Sequence, residues 1–305
     1  TLYFFSSGRF EYQNKGFDLT LEALARLNYK MKQENIDATV VFFLISKQPY
    51  HSINAQVLHS KALIEEIQRN TEEIERDLGR QLYKFITSNN GDFQIPDLKN
   101  MISQTMSMKL RRNVLSWKNK NLPTVVTHNL VNDSTDPVLN FLRTSNLVNN
   151  REDKVKVVYH PDFISPENPL FRMDYNQFVR GCHLGVFPSY YEPWGYTPME
   201  SCAFGVPTIT TSLSGFGMWC QGLGKDTDIL DAVAVVPRGD SNYNEVVTSI
   251  SDLVKRFAEV PQVEVKAIRQ EARRLSVRAG WHNFIKYYNK AYEQAVAKAI
   301  ARTGY

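Results

Sequence analysis

The sequence is poor in the features that would set it apart from ordinary globular proteins. Its three cysteines, Cys182, Cys202 and Cys220, are too few and too irregularly spaced for a disulfide framework or a cysteine-bound metal, so we expect reduced thiols. No apolar run approaches the roughly 20 residues that a membrane-spanning helix needs. Thr1 enters a predicted strand almost at once, so we expect no signal peptide. These absences favour a cytoplasmic protein without a membrane partner.

An excess of charge of one sign is also missing. The 36 lysines and arginines nearly balance the 32 aspartates and glutamates, and the net charge of +4 is too small to indicate a nucleic-acid partner. The glycine-rich G-x-G-x-x-G motif of dinucleotide-binding proteins does not occur, and no metal-binding spacing links His128, His160 and His183. We therefore expect no metal and no cofactor, and we interpret these histidines as structural.

Alternating strand and helix patterns run through the chain. An apolar strand at Leu2–Ser6, a helix at Phe17–Glu34 and a second apolar strand at Thr39–Ile45 form a β–α–β opening. Such an opening predicts an α/β fold with a doubly wound, parallel, Rossmann-like sheet. Further strands are predicted at Val155–Tyr159, Leu184–Pro188, Thr208–Thr210 and Ala232–Val236, and further helices at Tyr175–Arg180, Pro198–Phe204, Tyr243–Ala258 and Val263–Ala299, the last with a break near Gly280.

The segment from Ile53 to about Lys120 interrupts this alternation. Apolar residues recur there at helical spacing among many charged ones, at Ile64, Ile67, Ile74, Leu78 and Phe85. This stripe has two interpretations. One is an amphipathic helix packed on its own domain. The other is a helical projection used for self-association, because a sparse apolar seam on a charged helix suits a coiled-coil contact.

The segment from Tyr190 to Glu200 is the strongest functional pattern. It follows an apolar run, Leu184–Pro188, that is typical of a buried parallel strand. Pro193 and Gly195 then require a loop after that strand. The loop therefore lies at the carboxyl edge of the predicted sheet, which is where open α/β sheets bind ligands.

A helix opening follows this loop. Thr197 is predicted as the N-cap, Pro198 as the first helical residue and Glu200 as the acid that completes a capping box. In that geometry the backbone amides from Gly195 to Thr197 face a crevice above the sheet and form an anion site with the helix dipole. Glu192 adds a second carboxylate to the same loop.

Seven residues separate Glu192 from Glu200, and this spacing resembles the paired-glutamate signature of retaining glycosyltransferases built from two Rossmann-like domains. The amino-acid sequence of residues 189–198, S-Y-Y-E-P-W-G-Y-T-P, is similar to that of eukaryotic-type glycogen (starch) synthases. Further matches to that family follow in order along nearly the whole chain, at Ser7–Glu11 with Asn14–Gly16, Glu22–Asn28, Val126–Asn129, His160–Phe163, Phe178–His183, Gly205–Thr211 and Ser214–Gly217. The resemblance is therefore not confined to one loop.

The resemblance implies an architecture. Residues 1–305 would form a single nucleotide-sugar-binding domain, the second half of a GT-B glycosyltransferase, with the helical insertion at about 53–120 and a C-terminal helical segment at about 263–301. The N-terminal Rossmann domain, which supplies much of the acceptor surface, is expected to be absent from this chain and the isolated fragment to be inactive. In this family the insertion forms tetramers, so we expect a homo-oligomer.

The implied reaction is the transfer of glucose from UDP-glucose to the non-reducing end of an α-1,4-glucan, glycogen, with retention of configuration. ADP-glucose as the donor, another glucan as the product, and a non-catalytic oligomerising or regulatory module stay open as alternatives. Retention normally suggests a double displacement, whereas glycosyltransferases of this fold are generally assigned a front-face route. The sequence does not decide between the two routes.

The same resemblance implies the roles of the site residues. Glu192, Arg9 and Lys15 are expected to be catalytic: the two cations would clamp the diphosphate, and Glu192 would stabilise positive charge at the anomeric carbon. Glu200 is expected to bind the ribose hydroxyls. The other substrate-binding residues would be Phe163 and Tyr175 for the uracil, and Trp194, Gly195, Tyr196 and Thr197 for the diphosphate and sugar.

A basic stretch towards the C-terminus gives a regulatory expectation. Arg269 and Arg273 share a face of a predicted helix, and paired arginines can bind a phosphate bidentately. In eukaryotic-type glycogen synthases an arginine-rich helix here binds the activator glucose 6-phosphate, so the resemblance implies such a site at Arg269, Arg273 and Arg274. Glu271 lies within the cluster, and a solvated helix face is the alternative.

Overall fold

The computed structural model describes residues 1–88, 97, 101–118, 123–224 and 227–303. The chain divides into two compact units. The larger unit comprises Thr1–Ser52 and Val125–Tyr305, and the smaller unit comprises Ile53–Thr124. The smaller unit covers the segment in which the sequence stops alternating between strand and helix patterns. The predicted end of the insertion, at about residue 120, lies outside the described residues.

The regular elements are numbered here in chain order. The strands are β1 (Leu2–Ser7), β2 (Val40–Ile45), β3 (Tyr50–Ile53), β4 (His128–Leu130), β5 (Val155–His160), β6 (Leu184–Val186), β7 (Thr208–Thr211) and β8 (Val233–Val236). The helices are α1 (Phe17–Gln33), α2 (Ala55–Ser88), α3 (Gln104–Lys118), α4 (Pro137–Thr144), α5 (Tyr175–Gly181), α6 (Tyr196–Ala203), α7 (Gly215–Gln221), α8 (Tyr243–Ala258), α9 (Gln262–Arg278) and α10 (Trp281–Thr303).

A six-stranded parallel sheet organises the larger unit, in the order β5-β2-β1-β6-β7-β8. From β1 the chain first builds outward through β2 to β5, and then returns to the other side of β1 with β6. This reversal makes the boundary between β1 and β6 the topological switch point, where Phe4 pairs with Leu184 and Phe5 with Gly185. The predicted doubly wound parallel sheet is confirmed.

Side chains on both faces of this sheet are buried, as expected for parallel strands between helices. Neighbouring residues of β1 serve opposite faces: the ring of Phe4 packs 5.8 Å from that of Phe257 in α8, and the ring of Phe5 packs 6.0 Å from that of Phe178 in α5. Each fully buried phenylalanine stabilises the fold by about 2 kcal/mol. The three cysteines are buried free thiols within these layers, as predicted.

The structure also departs from the predicted elements. The predicted helix at Val263–Ala299 is observed as α9 and α10, with Ala279 and Gly280 between them, so the predicted break near Gly280 is confirmed. The sequence patterns missed the short pair β3 and β4 and the short helices α4 and α7. The strands β3 and β4 form a separate two-stranded sheet with polar side chains, which give no apolar signal.

The smaller unit is helical where it is described. Its two helices, α2 and α3, are in contact, and Gln81 donates a hydrogen bond of 2.8 Å to the carbonyl of Met101. Few apolar side chains in these helices are buried; Leu63 and Met106 are examples. Large apolar side chains are exposed along both helices, at Leu58, Ile64, Tyr83, Ile86, Met108, Val114, Leu115 and Trp117.

Candidate active site

Two loops meet at the topological switch point between β1 and β6. One follows β1 and contains Lys15, and the other follows β6 and contains Glu192. Backbone amides of the second loop donate to Asn14 in the first: Tyr190 N to Asn14 O at 2.7 Å, and Tyr191 N to Asn14 Oδ1 at 3.1 Å. Gly16 has a left-handed φ of 67°, and a Cβ there would lie 2.2 Å from the Pro188 carbonyl oxygen. Glycine at this position therefore lets the loops approach closely.

The close approach brings Lys15 and Glu192 together. Lys15 Nζ donates to Glu192 Oε2, and the two side chains are only 14% and 21% exposed. The stem of Lys15 runs along Gly8, where an added Cβ would be 3.5 Å from Lys15 Cδ. Two of the three predicted catalytic residues thus form a partly buried, charge-balanced pair. An incoming phosphate would compete with Glu192 for the lysine ammonium.

Arg9 lies at the rim of this arrangement. Its side chain is 83% exposed and forms an ion pair with Glu11 at 3.2 Å. Glu11 also accepts a hydrogen bond of 2.6 Å from Asn14 Nδ2, so the same loop fixes both Lys15 and the partner of Arg9. An exposed guanidinium on a surface pair can reorient towards an anion at little cost.

A cavity of about 330 Å³, here named the Phe163 cavity, opens beside these loops. It is formed by the carboxyl ends of β1, β2 and β5 together with α5 and α6. Five predicted site residues line it: Arg9, Phe163, Tyr175, Thr197 and Glu200. Its volume is at the lower end of the range for small-molecule sites. The structure therefore gathers the predicted nucleotide-binding residues around one space.

The two predicted base-binding aromatics differ in their surroundings. Tyr175 is largely buried, its hydroxyl lies 2.6 Å from Ser7 Oγ, and burial raises its pKa to about 12. Phe163 is 63% exposed, and Lys47 Nζ lies 4.7 Å from the centre of its ring. Tyr175 thus provides a fixed wall, whereas Phe163 offers an accessible ring face.

A buried polar network supports the segment that carries Phe163. The Thr127 hydroxyl lies 2.8 Å from His128 Nδ1 and 2.9 Å from His160 Nδ1. Asp162 Oδ2 accepts a hydrogen bond of 2.8 Å from Tyr50 Oη. His160 is fully buried, and this burial lowers its pKa to about 4. Burial thus keeps the imidazole of His160 neutral at pH 7, in agreement with a structural role.

The start of α6 corrects one prediction. The helix begins at Tyr196 with Gly195 as the N-cap, at φ 101°, and no side chain caps it. The predicted N-cap at Thr197 and its capping box with Glu200 are therefore wrong, because the left-handed glycine starts the helix two residues earlier. The Glu200 carboxylate lines the Phe163 cavity, and burial raises its pKa.

The backbone at this helix start is arranged as expected for an anion site. The amide of Met199 donates to the Gly195 carbonyl at 3.4 Å, so the amides of Tyr196 and Thr197 precede this bond and have no acceptor within the helix. A Cβ on Gly195 would lie 3.5 Å from Glu192 Cγ, which places the helix start beside the Lys15–Glu192 pair. Amide donors and a helix dipole therefore lie next to the charged pair.

The side chains of Trp194 and Tyr196 line a different cavity from the Phe163 cavity. The Trp194 ring packs 5.9 Å from Phe216 and 5.3 Å from Phe284, and its Nε1 donates to Met199 Sδ at 3.2 Å. Both Trp194 and Tyr196 line a second cavity of about 490 Å³, bounded by the ends of α9 and α10. Their side chains do not line the Phe163 cavity, because a large indole is more stable among aromatic neighbours.

Comparison with known proteins identifies the family of this chain. The glycogen synthase family model matches residues 1–303. The chain belongs to the glycogen synthase family. Glycogen [starch] synthase from Neurospora crassa is 38% identical over 300 residues, which cover 98% of this chain and 42% of that protein. Glycogen [starch] synthase isoform 1 from Saccharomyces cerevisiae is 37% identical over 306 residues, which cover 98% and 43%.

The chain therefore spans less than half the length of these glycogen synthase relatives. Among solved structures, the trehalose-6-phosphate phosphatase N-terminal domain of Candida albicans matches with a TM-score of 0.50 at 10% identity. That match covers 95% of this chain and 41% of the other. At this identity the likeness shows a shared fold alone.

The three arginines predicted to bind glucose 6-phosphate have different surroundings. Arg269 Nη1 donates to Cys182 O at 2.7 Å and its Nη2 to Arg180 O at 2.9 Å, and burial lowers its pKa. Arg273 lies against Gly205, which follows α6: a Cβ added to Gly205 would be 2.9 Å from Arg273 Nε. Arg274 is 75% exposed and pairs with Glu271 at 3.4 Å. Arg269 is thus held by two backbone carbonyls, whereas Arg273 and Arg274 are both exposed.

The sequence analysis missed several residues of the Phe163 cavity. These are Ser7, Gly8, Ile45, Ser46, Lys47, Asp162 and Ile164. A usable signal existed, since Ser7, Ser46 and Asp162 each stand at or just after the end of a predicted apolar strand. Residues at the carboxyl ends of parallel strands meet at one edge of a sheet. That rule, applied to β2 and β5 as well as β1 and β6, would have found them.

Within the described ranges, no group of three or more His, Cys, Asp or Glu side chains is arranged to hold a metal ion. Among the helices of those same residues, none is both long and apolar enough to cross a membrane. The expectation that catalysis needs neither metal nor cofactor stays a prediction.

Proposed function

We propose that this chain is the donor-binding part of a glycogen synthase that transfers glucose from UDP-glucose to the non-reducing end of an α-1,4-glucan, with retention of configuration. The observation that carries this proposal is the placement of Lys15, Glu192 and the Phe163 cavity side by side at the switch point of a glycogen synthase family fold. The proposal places the protein in the cytoplasm and requires no metal or cofactor.

The Phe163 cavity would hold the nucleoside. The exposed face of Phe163 suits stacking on a uracil ring, and Tyr175 lines the same cavity. Glu200 would accept hydrogen bonds from the ribose hydroxyls. Because the Glu200 carboxylate is not used to cap α6, it is available to this cavity.

The diphosphate would extend from the cavity towards Lys15. The ammonium of Lys15, the guanidinium of Arg9 and the amides of Tyr196 and Thr197 are the donors that could stabilise its growing negative charge. In the free protein Glu192 is paired with Lys15. When the diphosphate binds Lys15, it would replace Glu192 as the partner of the lysine. The Glu192 carboxylate would then face the sugar and stabilise positive charge at the anomeric carbon.

A front-face route fits this arrangement. The bond between the anomeric carbon and the diphosphate oxygen breaks, and its electron pair leaves with UDP. The acceptor hydroxyl oxygen forms the new bond on the same face, and its proton passes to the departing phosphate. Mass spectrometry of the wild-type complete protein after incubation with the donor is expected to show no glucosyl ester on Glu192; capture of that ester would support a double displacement instead.

Assembly and regulation are part of the same proposal. The exposed apolar side chains of α2 and α3 support self-association of the smaller unit into a tetramer. Arg269, Arg273 and Arg274 would contribute to a glucose 6-phosphate site. Arg269 donates to two backbone carbonyls in the free protein and would have to leave them to bind the phosphate. The glucan acceptor would rest mainly on the part of the relatives that this chain does not span, so we expect no glucose incorporation by the isolated chain.

Donor choice can be tested by thermal unfolding of the chain with UDP, ADP, UDP-glucose and ADP-glucose. A ligand at about 100 times its Kd stabilises the folded state by about 2.7 kcal/mol, which raises Tm by roughly 5 °C. We expect this shift for the uridine ligands, a smaller one in Glu200→Gln, and an unchanged one in the control Glu264→Gln on α9. A larger shift with the adenosine ligands would assign ADP-glucose, and no shift with any of the four would contradict the proposal.

A further inference from the structure

Arg238 connects the two loops of the candidate site from a third position. It lies just after β8, at the same edge of the sheet as Lys15 and Glu192. Its Nη1 donates to the carbonyl of Pro188 after β6, and its Nη2 donates to the carbonyl of Gln13 after β1 at 3.3 Å. Its backbone amide donates to Ser212 Oγ after β7 at 3.1 Å. One residue thus ties together the ends of four parallel strands.

The guanidinium group is well suited to this role. It is planar and presents donors in a fixed fork, so it can bind two carbonyls from different loops at once, which a lysine ammonium does less precisely. The carbon of the guanidinium lies 5.1 Å from the ring centre of Tyr190, whose hydroxyl donates to Asp240. Burial lowers the pKa of Arg238, while the nearby Asp18 carboxylate opposes that shift. The side chain is therefore held on several sides.

The two loops that Arg238 joins are the ones that carry the charged pair. Gln13 precedes Lys15 by two residues, and Pro188 precedes Glu192 by four. The backbone amides of Tyr190 and Tyr191 also donate across these loops to Asn14, and Lys15 itself donates to Glu192. We infer that Arg238 is a positioning residue that fixes the Lys15 loop against the Glu192 loop and thereby sets the geometry of the Lys15–Glu192 pair.

Arg238 lies nearer to the residues proposed for the chemistry than to the ring proposed to stack on the base. Phe163 follows β5, at the opposite end of the sheet from β8, although Thr197 and Glu200 of α6 also line the Phe163 cavity. Loss of Arg238 should therefore disturb the sugar and phosphate contacts more than the contacts of Phe163 with the nucleoside. Its relevance to turnover rests on the proposed function, whereas its effect on Lys15 does not.

The first test measures the geometry directly. Lys15 is only 14% exposed, so an amine-acylating ester should label it slowly in the wild-type chain. In Arg238→Met we expect the labelling rate of Lys15, followed by peptide mass spectrometry, to rise at least about threefold relative to the other lysines. Arg238→Lys should give an intermediate rate. The control is Arg256→Met. Arg256 lies on α8 and donates to Asp228, so its loss should leave the labelling rate of Lys15 unchanged.

The second test measures turnover in the complete protein. A misplacement of about 1 Å costs up to about 100-fold in rate, so we expect kcat of Arg238→Met to fall about 10- to 100-fold. The Kd for uridine, which lacks the diphosphate that Lys15 would bind, should stay within about twofold. Arg238→Lys should recover part of kcat, and Arg256→Met should match the wild type. Assays run well below the Tm of each variant exclude simple unfolding.

The outcomes are distinguishable. Unchanged Lys15 labelling in folded Arg238→Met would overturn the inference, and so would an unchanged kcat or a loss of uridine affinity equal to the loss of kcat. A wild-type protein that transfers no glucose from any nucleotide sugar would instead overturn the proposed function, and the labelling test would still decide the role of Arg238.

Discussion

The Phe163 cavity and the Lys15–Glu192 pair lie beside each other at one edge of the sheet, but they are built differently. The cavity is an open space of about 330 Å³ whose acid, Glu200, has a pKa raised by burial. The pair is a closed contact in which each charge neutralises the other. The cavity can accept a ligand as it stands, whereas the pair must separate before a phosphate can reach Lys15.

This difference teaches which half of the site performs which task. A preformed pocket binds with little reorganisation, so its residues should control affinity. A charged pair that opens only for the diphosphate and sugar should act mainly in the transition state, where developing charge is largest. The comparison therefore predicts that substitutions in the two regions affect different kinetic constants.

The largest expected effect comes from the charged pair. In the complete protein, Glu192→Gln keeps the size of the side chain but removes the charge that would stabilise the anomeric carbon, so we expect kcat to fall about 1,000-fold. The Kd for UDP, measured by calorimetry, should not rise, because the loss of the carboxylate leaves Lys15 free to bind the diphosphate. Glu22→Gln, which affects an ion pair with Arg26 on α1, is the matched control. An equal loss of UDP affinity would break the proposed separation between the two regions.

How far this site could be foreseen depends on the range of the contacts involved. The strand β2 is a continuous apolar run, and β1 and β5 are mostly apolar, so local patterns are enough to predict them. The loops after β1 and β6 could likewise be placed at the ligand-binding edge, because the position of that edge follows from a doubly wound sheet. The paired acids Glu192 and Glu200 were visible through their spacing within one short segment.

Other features depend on backbone angles or on distant contacts. The start of α6 was misplaced because the left-handed conformation of Gly195 is a property of the folded loop. The direction of Trp194 is set by Phe284, which comes 90 positions later in the chain. The contact of Lys15 with Glu192 and the position of Arg238 likewise join residues that are far apart in sequence. Local patterns contain no information on such pairings.

A smaller effect is expected when acid weakens the support of the cavity. Burial lowers the pKa of His160 from 6.5 to about 4, so between these pH values the unfolded chain binds a proton that the folded chain excludes. Stability is therefore lost as the pH falls through this window. From pH 7.5 to 5.5 we expect this group to lower the free energy of unfolding by about 1.4 kcal/mol, measured by urea denaturation.

The groups around His160 define the control for this measurement. His128, Thr127 and Asn168 face its ring, and Asp162 lies in the following segment. His160→Gln should be less stable at both pH values and should lose about 1.4 kcal/mol of the difference between them, whereas the exposed His51→Gln should keep that difference. Hydrogen exchange at pH 5.5 should rise more at residues 160–168 than at residues 187–195. An equal rise in both segments would mean that acid does not distinguish the two regions.

The smallest expected effect concerns the exposed ring of the cavity. Phe163 is 63% exposed, so it can stack on a base with one face only, and Phe163→Ala should weaken UDP binding about threefold. The kcat of the complete protein at saturating donor should be unchanged, because Phe163 lies in the cavity and not at the charged pair. Tyr29→Ala, at an equally exposed aromatic on α1, should leave both constants unaltered. A fall in kcat without a change in affinity would place Phe163 with the chemistry and reverse the comparison for this residue.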